Sequence, residues 1–157
     1  MANETLKLLA REVRGKTFKI LDGLSDSQAR FAPPGLNNSI IWHAGHAFTV
    51  VESLSVSAAA GKPPQYPDGW FDLFSWKSKP TPDTRFPSLA QVIEALRNQL
   101  ERLLSAIEPL NPQQLAVVID QARNRTVRYN ILHGLHDEAN HQGEMWLLRK
   151  LQNTKAP

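Results

Sequence analysis

The sequence predicts an all-α protein, a four-helix bundle with one long crossover rich in proline and aromatic residues. Three observations predict it. Apolar residues recur at three- and four-residue steps over four long stretches. Cap residues, prolines and glycines fall between those stretches. No segment alternates convincingly over strand length, and Val117-Val118-Ile119 is the one candidate for a short extended piece. A chain of 157 residues reads as one domain, spanning 1–157, with enough length for one core.

The first helix runs from Glu4 to about Leu24 on Leu6, Leu9, Val13, Phe18, Ile20 and Leu21, and Gly15 weakens it without ending it. Ser25-Asp26-Ser27-Gln28 has the form of a capping box and starts a short helical turn, which Pro33-Pro34-Gly35 breaks. Asn37, Asn38 and Ser39 are N-cap candidates for a second helix, from about Ser39 to Ala60, closed by Gly61. Pro87 and the box Ser88-Leu89-Ala90-Gln91 open a third, which runs to about Ile107. Pro109 and Pro112 bound its exit, and Asn111-Pro112-Gln113-Gln114-Leu115 begins another short turn. The fourth long helix spans about Thr126 to Gln152. Four such helices imply a bundle; antiparallel packing of the second and fourth on one core is compatible with it, but the sequence does not fix the topology. The connection from Gly61 to Phe86 holds Pro63, Pro64, Pro67, Pro80 and Pro82 and reads as non-helical. Connections of this length are uncommon unless functional or disordered, and Trp70, Phe71, Phe74 and Trp76 argue against disorder. It either pads the bundle or walls a pocket as a lid, and both can hold.

Composition excludes several classes of function. The net charge of +3 and pI near 9.4 are a mild basic excess. Arg123-Asn124-Arg125 with Arg128 is the densest basic run; it is short and reads as a solvated helix start, so no nucleic acid is expected. No apolar run approaches the roughly 20 residues of a membrane span. Met1-Ala2-Asn3-Glu4-Thr5 has neither the basic nor the apolar region of a secretory signal, so the cytoplasm is the expected compartment. There is no cysteine, which rules out a thiolate metal site or a thiol nucleophile of the chain's own. Nor is there a nucleophile elbow or a glycine-rich phosphate loop.

All five histidines fall in two segments, Trp42-His43-Ala44-Gly45-His46 and His133 to Glu144. Both segments read as helix. Histidines and carboxylates on facing helices are how helical bundles hold metals. On the fourth helix His133, Asp137 and His141 are four apart and share one face with Val127, Gly134, Met145 and Leu148. Buried unpaired, they would cost several kcal/mol. A metal ion satisfies both Asp137 and His141. His136 is rotated by roughly 140° from His141 and is a poor co-ligand. Glu138, near the row, is a substitute ligand or a base. A second apolar stripe through Leu132, Leu135, Ala139 and Trp146 suggests a homodimer face. On the second helix His43 and His46 both lie toward the apolar face of Ala47, Val50, Leu54 and Ala58, and periodicity does not choose between them. A lone buried histidine is most often a hydrogen-bonded core residue. The matching histidine and aspartate on another helix shift the reading toward a metal.

Asn38-Ser39-Ile40-Ile41-Trp42-His43-Ala44-Gly45-His46 resembles the second-helix motif of the DinB-like superfamily, in which His46 matches the first metal histidine. Asp137-Glu138-Ala139-Asn140-His141-Gln142-Gly143-Glu144 resembles the family's "H-x-x-x-H-x-G-Q/E" motif. His141 matches its second histidine, and Asp137 stands where the first is usually found. Leu24 to Pro33 and Phe74-Ser75-Trp76 fit as well, so the likeness spans most of the chain. The resemblance implies a four-helix bundle, often dimeric, with a divalent metal on three histidines. Here the ligands become His46, Asp137 and His141, a set open to Zn, Ni, Fe or Mn.

By the same resemblance the expected activity is that of a transferase. A low-molecular-weight thiol cosubstrate would be activated at the metal and would attack an electrophilic small molecule. Glu138 or His43 would accept the proton, and Trp42, His133, Trp70 and Trp76 would surround the substrate. A hydrolase on the same site and a non-catalytic bundle with an eroded site are the alternatives.

Overall fold

The computed structural model describes residues 2–36 and 38–153. Asn37, one of the N-cap candidates, and the extreme ends of the 1–157 domain lie outside the described residues. Helix α1 (Ala2–Leu21) buries Leu6, Ala10, Val13, Ile20 and Leu21. Helix α2 (Asp26–Arg30) starts on the expected capping box, with both reciprocal bonds between Ser25 and Gln28 in place. Ser39 is the N-cap of α3 (Ile40–Val51). The rod continues through a π-helical turn (Glu52–Val56) into α4 (Ser57–Ala60), and Gly61 closes it in the left-handed region. The second predicted helix is thus present within its predicted limits, but its middle is wound more loosely. That turn coincides with the inward-facing Glu52, which is 1% exposed and bonded to Gln99 and Arg102.

The crossover is not wholly non-helical. Helix α5 (Trp70–Phe74) lies in the proline-free stretch between Pro67 and Pro80, where nothing removes a backbone donor. Helix α6 (Leu89–Ile107) and α7 (Pro112–Leu115) each begin on a complete capping box. Val118–Asp120 (β1) pairs antiparallel with Arg125–Thr126 (β2). The basic run Arg123-Asn124-Arg125 therefore belongs to a hairpin rather than to a helix start; Asn124 has φ 50° and Asp120 pairs with Arg123. Helix α8 (Val127–Asn153) follows.

The bundle sets α1 beside α8 and α6, and α3 beside α8 and α6. Pairings along α1 and α8, Arg14 with Glu138 and Arg149 with the Ile20 carbonyl, advance together, so these helices are parallel. Those along α3 and α8, Ser55 with Ile131 and His43 with His141, run in opposite senses. This is antiparallel packing of the second and fourth helices, which the sequence allowed but did not fix. Helices α3 and α6 are parallel neighbours: Ile41 and Phe48 share a core cluster with Val92 and Leu96, Val51 and Val56 one with Leu103 and Ile107. Parallel neighbours need a connection that runs back along the bundle, and this explains the length of the crossover. The stripe expected on α8 is divided. Leu135 is in the core at 1% exposure, while Leu132 and Trp146 are exposed; Leu147, outside the stripe, is exposed as well.

Candidate metal centre

Helix α3 carries His43 and His46 one turn apart, both buried, and α8 brings Asp137 and His141 to face them. Gly45 lies between the two α3 histidines. A Cβ there would meet the Phe74 ring at 2.3 Å, so only glycine lets α5 approach this closely. The approach matters because the Phe74 carbonyl lies 2.6 Å from His46 Nδ1. A carbonyl only accepts, so Nδ1 holds the proton and Nε2 keeps its lone pair. The Trp42 indole stacks on the His46 ring at 4.8 Å and 12°, and its Nε1 donates to Ser78 Oγ at 2.8 Å.

His46 Nε2 lies 3.8 Å from Asp137 Oδ2, and His141 Nε2 lies 3.6 Å from the same oxygen. On its other side His141 Nδ1 is 2.8 Å from Glu144 Oε2 and donates to it, which frees Nε2 as an acceptor. Three acceptor atoms therefore converge, all within 4.8 Å of one another. Asp137 Oδ2 is buried and has no hydrogen-bond partner. Acceptors that face one another without a donor are unfavourable unless a cation lies between them. Two imidazole nitrogens and a carboxylate oxygen fit a divalent transition metal.

His43 Nδ1 lies 2.9 Å from His141 Nδ1 and 3.0 Å from Glu144 Oε2. His43, His141 and Glu144 form a second group able to hold a cation. Each of those atoms already has a partner at hydrogen-bond distance, whereas Asp137 Oδ2 has none, so the orphaned oxygen favours the first group. Burial, with the charges of His141 and His46, pushes the His43 imidazole down to about 3. Burial also lowers His46, partly opposed by the Phe74 carbonyl. Both are therefore neutral near pH 7, the form in which histidine binds metal.

The remaining expected site residues divide. Glu138 is not at the centre: its fully buried carboxylate is held by Arg14 Nε at 2.9 Å and Thr17 Oγ1 at 2.6 Å, on the α1 side of α8. Being next to Asp137 in sequence turns it about 100° away. Trp70 is a core residue, buried edge-on against Phe48 and Phe74, not a pocket wall. His133 stacks on Tyr129 at 5.6 Å, one turn back along α8. Trp76 is exposed and borders a small cleft beside His46. Glu144 was missed as a site residue, although its position three after His141 in the quoted motif was a usable signal. The Phe74 carbonyl is a backbone group and left no signal in residue type.

An all-helical bundle with a buried histidine–carboxylate cluster between two of its helices defines the class. The model of the DinB superfamily matches residues 9–145, and the chain belongs to that superfamily. Among solved structures it is similar to a conserved protein from Enterococcus faecalis, with a TM-score of 0.72, 17% identity and 97% of each chain covered. That likeness speaks to the fold. No curated protein sequence matches the chain.

Proposed function

We propose that this protein is a metal-dependent enzyme that transfers a low-molecular-weight thiol to an electrophilic small molecule. The observation that carries the metal part is the orphaned Asp137 Oδ2, buried between the Nε2 atoms of two imidazoles. A divalent cation held by His46, Asp137 and His141 would keep open positions and supply the Lewis acidity that lowers the pKa of a bound thiol or water. The chain's own residues do the rest. The Phe74 carbonyl and Glu144 fix the two ring orientations. Glu144, exposed on one side and bonded to His141 on the other, is placed to pass a proton to solvent, with His43 beside it. Trp42 shields the His46 ring and Trp76 borders the substrate cleft. The chain has no cysteine, so a thiol nucleophile must come from outside.

Among the described residues no helix is long and apolar enough to cross a membrane. A free thiol persists in the reducing cytoplasm, where we place the protein. Exposed Leu132, Trp146 and Leu147 on α8 support a homodimer.

The test is elemental analysis of tag-free protein, followed by turnover of an electrophile panel with and without small thiols. About one equivalent of metal, lost in His46→Ala, Asp137→Ala and His141→Ala, is the expected result. Absence of metal after reconstitution would reject a metalloenzyme, and turnover independent of thiol would make it a hydrolase.

A further inference from the structure

Helix α3 and the α5 segment enclose a cleft of about 160 Å³ against the metal centre, walled by His46, Thr49, Val50, Ser53, Phe71 and Trp76. Phe71 and Trp76 are left 47% and 75% exposed at its mouth. Two of the three hydroxyls that line it are engaged already, and the third belongs to Ser75. Thr49 Oγ1 donates to the Gly45 carbonyl at 3.0 Å, and Ser53 Oγ donates to the Thr49 carbonyl at 2.7 Å and meets the Tyr66 hydroxyl. Among the described residues lining it there is no lysine, arginine, aspartate or glutamate. Away from the His46 end an ion would lose water and find no counter-charge, at a cost of several kcal/mol. A ring would lose only unfavourable hydration and would meet two aromatic side chains. An apolar cavity of about 150 Å³ accommodates one benzene. The cleft on the other side of the histidines differs in character. It is lined by Asn38, His43 and Glu144 with three leucines, so the more polar reactant is better received there.

We propose that the cleft beside His46 binds the body of the substrate, and that this substrate is uncharged, compact and apolar, of the size of a single ring. The inference rests on the reading of His46, Asp137 and His141 as the catalytic centre, because His46 is both ligand and wall.

The probes are benzyl alcohol, benzoate and benzylammonium, titrated into the full-length tag-free protein and followed by the indole NMR signals, with and without metal. In the metal-free protein the alcohol binds at least about tenfold more tightly than either ion. Trp76→Ala, an exposed position that tolerates truncation, weakens it by up to about tenfold, the scale of one lost aromatic contact. Val50→Trp, which fills the cleft, abolishes binding. Equal or tighter binding of an ion, or alcohol binding unchanged in both variants, overturns the proposal. The metal-free arm separates the two readings. Selective alcohol binding in a protein that takes up no metal leaves the cleft standing without the centre. One equivalent of metal with no preference among the probes leaves the centre and removes this substrate class.

Discussion

Asp137 Oδ2 depends on two imidazoles whose orientation is set by groups outside the ligand set. Glu144 is the more readily tested of these, since its side chain is 58% exposed and its replacement leaves the core intact. Glu144→Gln should weaken metal affinity about 10- to 100-fold, as loss of a group that orients a ligand does, while thermal unfolding of the metal-free protein stays nearly unchanged. Competition with a chromogenic chelator measures it, and unchanged affinity would remove Glu144 from the site. His43 makes a second prediction. Its folded-state value of about 3 lies below the ordinary 6.5. Below pH 6.5 the unfolded chain therefore binds the proton that the folded one refuses. Stability of the metal-free protein should fall as pH drops from about 6.5 toward 3, by about 1 kcal/mol per pH unit for this group, and be insensitive to it above that window. Urea unfolding at pH 7, 5 and 4 reads the slope, and His43→Gln should reduce it. At this scale spacing brought Asp137 and His141 into view, because helical geometry turns a step of four into a shared face. It misplaced Glu138, since neighbours in a helix point different ways and only the fold shows that α1 has a cation waiting.

Helix limits follow from local chemistry, and here that chemistry is in the sequence. The capping boxes at Ser25 and Ser88 form as their residue order predicts, and a third forms at Asn111, where only a short turn was expected. The π-turn and α5 were less legible, because each is stabilised by contacts with distant segments; the hairpin is held by bonds within residues 117–127, and only its first strand carried an extended pattern. Helix α5 docks through the packing of Phe74 on Gly45, and this contact links an element to the site. Gly45→Ala should destabilise the protein by about 1–3 kcal/mol, the usual cost of overpacking. It should also weaken metal binding, because the displaced ring carries with it the carbonyl that holds His46. Calorimetry and the same chelator assay check both, and an unperturbed variant would show that α5 can retreat freely.

Across the whole molecule, one buried polar network joins the four long helices. Arg14 on α1 donates to Glu138 on α8, to Gln99 and to the Leu96 carbonyl on α6, and Gln99 reaches Glu52 and the Phe48 carbonyl of α3. Arg14 and Glu138 have side chains 2% and 0% exposed. Arg14→Met leaves a buried carboxylate without its counter-charge, with only the Thr17 hydroxyl still donating to it, and should cost about 3–5 kcal/mol, while Arg14→Met with Glu138→Leu should recover most of that loss in urea unfolding. Such a network fixes which helices are neighbours, and apolar periodicity alone does not. This is why the bundle was legible in the sequence and its order of helices was not. The crossover has a consequence in the order of assembly. The bond from His46 to the Phe74 carbonyl closes 28 residues, whereas the contact from His43 to His141 closes 98. Loop closure is less costly for the shorter span. The α3 half of the cluster is thus oriented by its own neighbourhood, and α8 docks Asp137 and His141 onto a half already made.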